Sequence, residues 1–144
     1  MNRASALTIL QNEYAELATE AQFSDSQAAT AYEFAIDMSL RQLGYQETDL
    51  ATTDVPLLRI LGYLALLHYY ALKRFARLLS IRINVTIAGQ LSAQRSQAAV
   101  QVKALLDDAE AEAVALGFPV GKDAVPFALG RMELDFMEPS WGEF

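Results

Sequence analysis

Cysteine is absent from this sequence, and histidine occurs once, at position 68. The lack of cysteine excludes disulfide bonds, thiolate metal sites and thiol nucleophiles. One histidine is too few for a histidine-built metal or catalytic cluster within one chain. The sequence also has no phosphate-binding glycine loop, calcium-binding loop, dinucleotide fingerprint or nucleophile elbow. We therefore predict a non-enzymatic protein with no cofactor, no bound metal and no catalytic residue.

Acidic residues are missing from one long stretch, residues 55–103, which carries seven bases. The flanking segments 1–54 and 104–144 each carry two bases and nine acids, so the three blocks have net charges of −7, +7 and −7. A basic block of this length indicates an oppositely charged neighbour. Acids of the same chain, a second subunit and nucleic acid are all compatible with the pattern. Because the whole chain carries −7, any contact with nucleic acid or an anionic membrane must be local.

The 144 residues are 53% hydrophobic, which is enough for one domain with its own core. Apolar residues at helical spacing predict four helices, within residues 1–21, from Ser24 to Gly44, from Val55 to Leu79 and from about Ser92 to Leu116. Glycines at positions 44 and 117 fit the helix stops. Three glutamates interrupt the first segment, so we expect no secretory signal there.

A change of period follows the third predicted helix. Apolar and polar residues alternate from Ile81 to Ile87, as in a half-exposed strand, and Gly89 marks a turn. We therefore predict a short strand or hairpin over about 81–92, inside a helical bundle domain of residues 1–118. Proline and glycine recur through 119–144, which predicts an extended C-terminal tail. The predicted fold class is mainly α, a four-helix bundle with this β element between helices three and four.

The third predicted helix has two faces that need partners. The face expected to join the core carries Leu57, Leu61, Leu64, His68, Leu72, Phe75 and Leu79. The opposite face mixes bases with tyrosines, and with the following strand it is our predicted oligomer interface. The interface residues are Arg59, Tyr63, Tyr70, Lys73, Arg74, Arg77, Arg82, Asn84 and Thr86. Because Arg59 and His68 interrupt the apolar run and bases fill its last turns, we expect no membrane span. His68 itself is expected to be a hydrogen-bonded core or interface residue.

The C-terminal tail combines apolar and charged residues in alternation. Met132, Leu134 and Phe136 alternate with charged side chains, and Trp141 and Phe144 follow. This pattern is typical of a strand that adds to the sheet edge of another protein. Folding of the tail back onto its own bundle is equally compatible with the pattern.

The order of these segments resembles that of the head–tail connector (adaptor) proteins of tailed bacteriophages. The resemblance covers roughly residues 25–122 and is carried by three segments, TDVPLLRILGYLALLHYYALKRFARLL, IRINVTIAG and QRSQAAVQVKALLDDAEAEAVALGF. It implies a structural virion protein that assembles as a homo-oligomeric ring of about twelve copies beneath the portal. DNA would pass through this ring without specific binding.

The same resemblance implies partners and a location. The C-terminal segment would dock on the portal protein, and a tail-side neck protein would bind the other end of the ring. The implied portal-docking residues are Met132, Leu134, Phe136, Trp141 and Phe144. The protein would then reside in the neck of the virion, after a period in the host cytoplasm during assembly.

A nucleic-acid-binding regulator is the alternative hypothesis. In that case a cytoplasmic helical protein would use the basic and aromatic stripe of its third helix, because bases neutralise phosphate and tyrosines stack on nucleobases. Binding of DNA that weakens steeply with salt would favour this alternative.

Overall fold

The computed structural model describes residues 1–85 and 93–121, with side chains described for residues 1–80 and 97–121. Most of these residues belong to four α-helices, α1 (Arg3–Glu20), α2 (Asp25–Gln42), α3 (Ile60–Val85) and α4 (Ala93–Ala115). Short 3-10 helices occupy Glu47–Asp49 and Leu57–Arg59, between α2 and α3. The prediction of a mainly helical bundle is confirmed for this part of the chain.

Local side chains determine where α2 begins and ends. The Ser24 hydroxyl accepts from the Gln27 N–H, and the Gln27 side chain accepts from the Ser24 N–H, which forms a capping box. At the other end, Gly44 has a φ of +98°, a left-handed conformation that glycine adopts without strain. The Tyr45 N–H then donates to the Leu40 carbonyl and closes the helix end. Both predicted boundaries are therefore confirmed.

Helix α3 runs antiparallel to α2 and packs along it. Arg59, just before α3, lies over the ring of Tyr45, just after α2. At the opposite end of the pair, the rings of Phe23 and Phe75 have centroids 5.2 Å apart. The long apolar face of α3 that includes Tyr63 is buried against α2 and the connection that follows it.

Helix α4 covers a second side of α3, and α1 closes the bundle. Ala99 of α4 shares a groove with Ala76 of α3, whereas Phe118, after α4, lies against Gly62 near the start of α3. These two contacts make α3 and α4 antiparallel. Helix α1 packs on α2 and α4. The apolar sides of α3 are covered by α2 and α4, so both have partners within the chain.

Phe75 lies at the centre of the core and is fully buried. Its ring makes edge contacts with Tyr14 of α1 and Tyr32 of α2, both at 5.9 Å between centroids. Aromatic pairs at this distance and angle stabilise a fold beyond the area that they bury. Three of the four described helices therefore pack against one another at the Phe75 ring.

Two predicted boundaries differ from the structure. Helix α3 continues to Val85, so the strand predicted from Ile81 is wrong for residues 81–85. Relative to alanine, each β-branched residue destabilises a helix by only about 0.5 kcal/mol. A short run of alternating apolar residues therefore does not force a strand. The bundle also extends past residue 118, because Val120 is buried. Residues 86–92 and 122–144 lie outside the described residues, and the predictions of a hairpin and an extended tail there stay predictions.

Candidate interaction surfaces

Arg59 serves the fold of its own chain. Its guanidinium donates to the carbonyl oxygen of Leu43 and lies 5.3 Å from the centre of the Tyr45 ring. Both partners belong to the turn that follows α2. The sequence placed Arg59 in an oligomer interface, and the structure shows it joining the start of α3 to the end of α2.

Further along α3, the bases lie on aromatic rings instead of beside carboxylates. Lys73 Nζ lies 5.6 Å from the centre of the Tyr69 ring, and the Arg74 guanidinium lies 5.4 Å from the centre of the Phe34 ring. Such contacts stabilise a cation by about 0.5–1 kcal/mol at exposed sites and leave its charge unneutralised. Lys73 and Arg77 are exposed, one turn apart on the helix.

No carboxylate of the described residues lies within ion-pair distance of Arg59, Lys73, Arg74, Arg77 or Lys103. The ion pairs of this part of the chain use the N-terminal amine, Arg3 and Arg41. Lys103 borders the groove between α3 and α4, beside Ser80, which is one turn beyond Arg77. We call Lys73, Arg77 and Lys103 the basic surface. Among the described residues, nothing neutralises its charge.

The two tyrosines predicted for the interface are instead part of the core. Tyr63 is 1% exposed and Tyr70 is 7% exposed. The Tyr70 hydroxyl donates to Gln42 of α2 at 2.9 Å, and burial raises the pKa of the Tyr63 phenol to about 12. The expectation that these rings face a partner is therefore wrong for the chain as folded here, because α2 already covers them.

Two leucines predicted for the core are exposed. Leu57 and Leu61 are 83% and 74% exposed, and the neighbouring Leu58 is 98% exposed. They precede Gly62, against which Phe118 lies just after the end of α4. We call these three residues the leucine end. Leu58 is off the stripe of α3 that carries Leu57, Leu61 and Leu64, and this signal in the sequence could have marked it as a surface residue.

His68 is hydrogen-bonded inside the bundle, as predicted. Its Nδ1 lies 2.6 Å from the Tyr14 hydroxyl, and the two rings meet edge to face. Burial raises the pKa of Tyr14 well above its ordinary value, and the charges of Glu13 and Glu112 add to this shift. The phenol therefore stays protonated and shares this hydrogen bond with His68 Nδ1. The sequence did not reveal this partner, because Tyr14 and His68 are 54 residues apart.

Carboxylates gather where α1 meets α4. The charge of Glu112 helps to raise the pKa of the buried Tyr14. Glu20 shares a groove with Gln97 and Gln101. Helical spacing places Asp108 on the same stripe of α4 as Gln101 and Glu112. We call the following residues the acidic surface, which comprises Glu13, Glu16 and Glu20 of α1 with Asp108 and Glu112 of α4.

The acidic and basic surfaces lie on different sides of the bundle. Lys103 and Glu112 are nine residues apart on α4, and at about 100° per residue they point in opposite directions, whereas Asp107 and Glu110 share the side of α4 that carries Lys103. Within residues 1–80 and 97–121, no three histidine, aspartate or glutamate side chains are placed to hold a metal ion. The arrangement can bind an oppositely charged macromolecule on either side.

The remaining predicted site residues are not placed as side chains. Arg82 and Asn84 lie in the last turns of α3, where the structure describes only the backbone. Thr86 lies outside the described residues. The predicted portal-docking residues Met132, Leu134, Phe136, Trp141 and Phe144 also lie outside them.

Comparison with known proteins gave no match to a family model, a curated protein or a solved structure. None of the described helices combines the length and the apolar character that crossing a bilayer requires.

Proposed function

We propose that this protein is a structural component of a tailed-phage virion, a head–tail connector that assembles as a ring of identical copies between portal and tail. The observation that carries the proposal is the separation of unneutralised charge on the bundle surface. One side presents the basic surface, without a carboxylate partner among the described residues. Another side presents the acidic surface.

Charge separated in this way fits contact between neighbouring copies. Opposite potentials on two surfaces favour a heterologous contact, in which the basic surface of one copy meets the acidic surface of the next. A heterologous contact repeats around an axis and closes into a ring when the rotation allows it. Acidic residues left facing the lumen would repel DNA and let it slide through.

The C-terminal tail is the segment that we propose for docking on the portal. Its alternating Met132, Leu134 and Phe136 fit addition to a sheet edge, and Trp141 and Phe144 would anchor the contact. A tail-side neck protein would bind the opposite end of the ring. The proposed location is the virion neck, with the host cytoplasm as the place of assembly.

The exposed bases also favour the alternative of a cytoplasmic nucleic-acid-binding regulator. Lys73, Arg77 and Lys103 would supply the phosphate contacts that such a protein needs. Burial of Tyr63 and Tyr70 removes the aromatic rings that would stack on nucleobases. We therefore rank this alternative second.

Charge reversal at Arg77 tests the proposal. We expect Arg77→Glu to weaken self-association about tenfold while unfolding by urea is little changed, because Arg77 is exposed and a contact with a like charge repels. Added salt should produce a milder version of the same effect. The measurement is mass by light scattering over a range of protein concentrations.

Arg41→Glu is the matched control, since Arg41 is an exposed base on α2 that pairs with Glu47 away from the basic surface. Equal weakening by both variants would contradict the proposed contact. Retention of DNA at low salt by the parent protein, lost in Arg77→Glu, would instead support the regulator.

A further inference from the structure

The leucine end is an unusual feature of the described surface. Leu57, Leu58 and Leu61 lie within two turns of one another and are each more than two-thirds exposed, at 83%, 98% and 74%. Single exposed leucines are common in proteins, but adjacent ones of this exposure form a patch that other apolar atoms normally cover.

The patch continues the core-facing stripe of α3. Leu61 precedes His68 by seven residues, and His68 precedes Phe75 by seven, so the three share one face. Phe75 is fully buried, whereas Leu61 is exposed because α4 ends at Ala115 and the last described contact of its end is Phe118 on Gly62. Among the described residues, the core of the bundle is thus open at this end.

We propose that the beginning of the C-terminal segment, residues 122–130, covers the leucine end of its own chain. This stretch carries Val125, Phe127 and Leu129 in alternation, which places three apolar side chains on one side of an extended chain. Residues 119–121 already follow the bundle, because Val120 is buried and Gly121 lies against the Glu110 side chain.

The length of this segment is sufficient. Glu110 is five residues before the end of α4 and Leu58 is four residues before Gly62, so the leucine end lies about 15 Å along the bundle axis from Gly121. The six residues from Gly121 to Phe127 span up to about 20 Å when extended. A tethered segment also has an effective concentration in the millimolar range, which favours the same chain over a second copy.

This inference does not depend on the proposed ring. Residues 122–130 hold one base and one acid, so the contact is apolar and differs from the contact between charged surfaces. The portal-docking residues 132–144 stay free. The segment would close the open end of the core and fix the point from which the tail leaves the bundle.

Proteolysis of the full chain tests the proposal. Trypsin cleaves after Lys122, which the docked segment should protect. We expect Leu58→Glu to speed cleavage at Lys122 about tenfold, and Phe127→Ser to do the same, with no further gain when the two are combined. Val100→Glu is the matched control, because Val100 is 72% exposed on α4, away from the leucine end.

Circular dichroism of each variant verifies that the helices are retained. Cleavage at Lys122 as fast in the parent protein as in Leu58→Glu would overturn the proposal, and so would gains that multiply in the double variant. Protection that increases with protein concentration would also overturn it, because the leucine end would then be covered by a second copy. None of these outcomes bears on Arg77, so failure here is distinguishable from failure of the proposed ring.

Discussion

Alkaline pH should destabilise this bundle, and the contribution of one residue, Tyr63, to that loss of stability can be measured. The phenol is 1% exposed, and burial raises its pKa from 10.0 to about 12. A group whose pKa is higher in the folded state contributes stability that is complete below its unfolded pKa. That contribution is lost as the pH rises from 10.0 towards about 12.

The size of the loss follows from the two pKa values. Each unit of difference corresponds to about 1.36 kcal/mol, so the full contribution of Tyr63 is about 3 kcal/mol. At about pH 11 roughly half of it, about 1.4 kcal/mol, has been lost. Among the described residues, the Tyr63 hydroxyl has no hydrogen-bond partner. Tyr63→Phe should therefore change the free energy of unfolding little near neutral pH.

Urea unfolding at about pH 8 and about pH 11, followed by circular dichroism in dilute solution, compares the parent protein with Tyr63→Phe. We expect similar stability at the lower pH and an advantage of about 1.4 kcal/mol for the variant at the higher pH. The same advantage at both values, or none at either, would refute the reasoning. It would show that water reaches the Tyr63 phenol in solution.

Two further predictions concern the interior and the tail. Tyr14→Phe should reduce the free energy of unfolding by about 1–3 kcal/mol, because His68 Nδ1 loses its 2.6 Å partner, and urea titration would show no change if water replaces the phenol. Deletion of residues 126–144 should leave the helical circular dichroism signal intact and abolish assembly on the portal. Normal assembly of the truncated protein in a reconstitution assay would contradict the role of the tail.

Periodicity and end signals predicted the helices well. The stripe of α1 that includes Leu10, Tyr14 and Leu17 is buried, and the Ser24 and Gly44 boundaries of α2 are where the sequence places them. Gly117 has a φ of +96° and ends α4 as predicted. These features depend on residues within a few positions of one another, which is the information that a single sequence contains.

Features that depend on distant parts of the chain were harder to predict. The two apolar faces of α3 are visible in the sequence, but which neighbour covers each is decided by α2 and α4. Tyr63 and Tyr70 therefore looked available for a partner and are buried within the chain. Leu57 and Leu61 looked like core residues and are exposed, because helical spacing shows which residues share a face and not where the covering helix stops.

The central position of α3 limits how copies of this protein can meet. The chain itself covers the apolar sides of α3, so among the described residues its exposed side chains are Leu61 at the start and Lys73, Arg77 and Ser80 from the midpoint onwards. A two-fold contact centred on the basic surface would bring like charges together, and these repel. The contact that we propose between copies therefore places an acidic surface opposite Lys73 and Arg77. In the heterologous form of that proposal, repetition of the contact gives a ring or a filament.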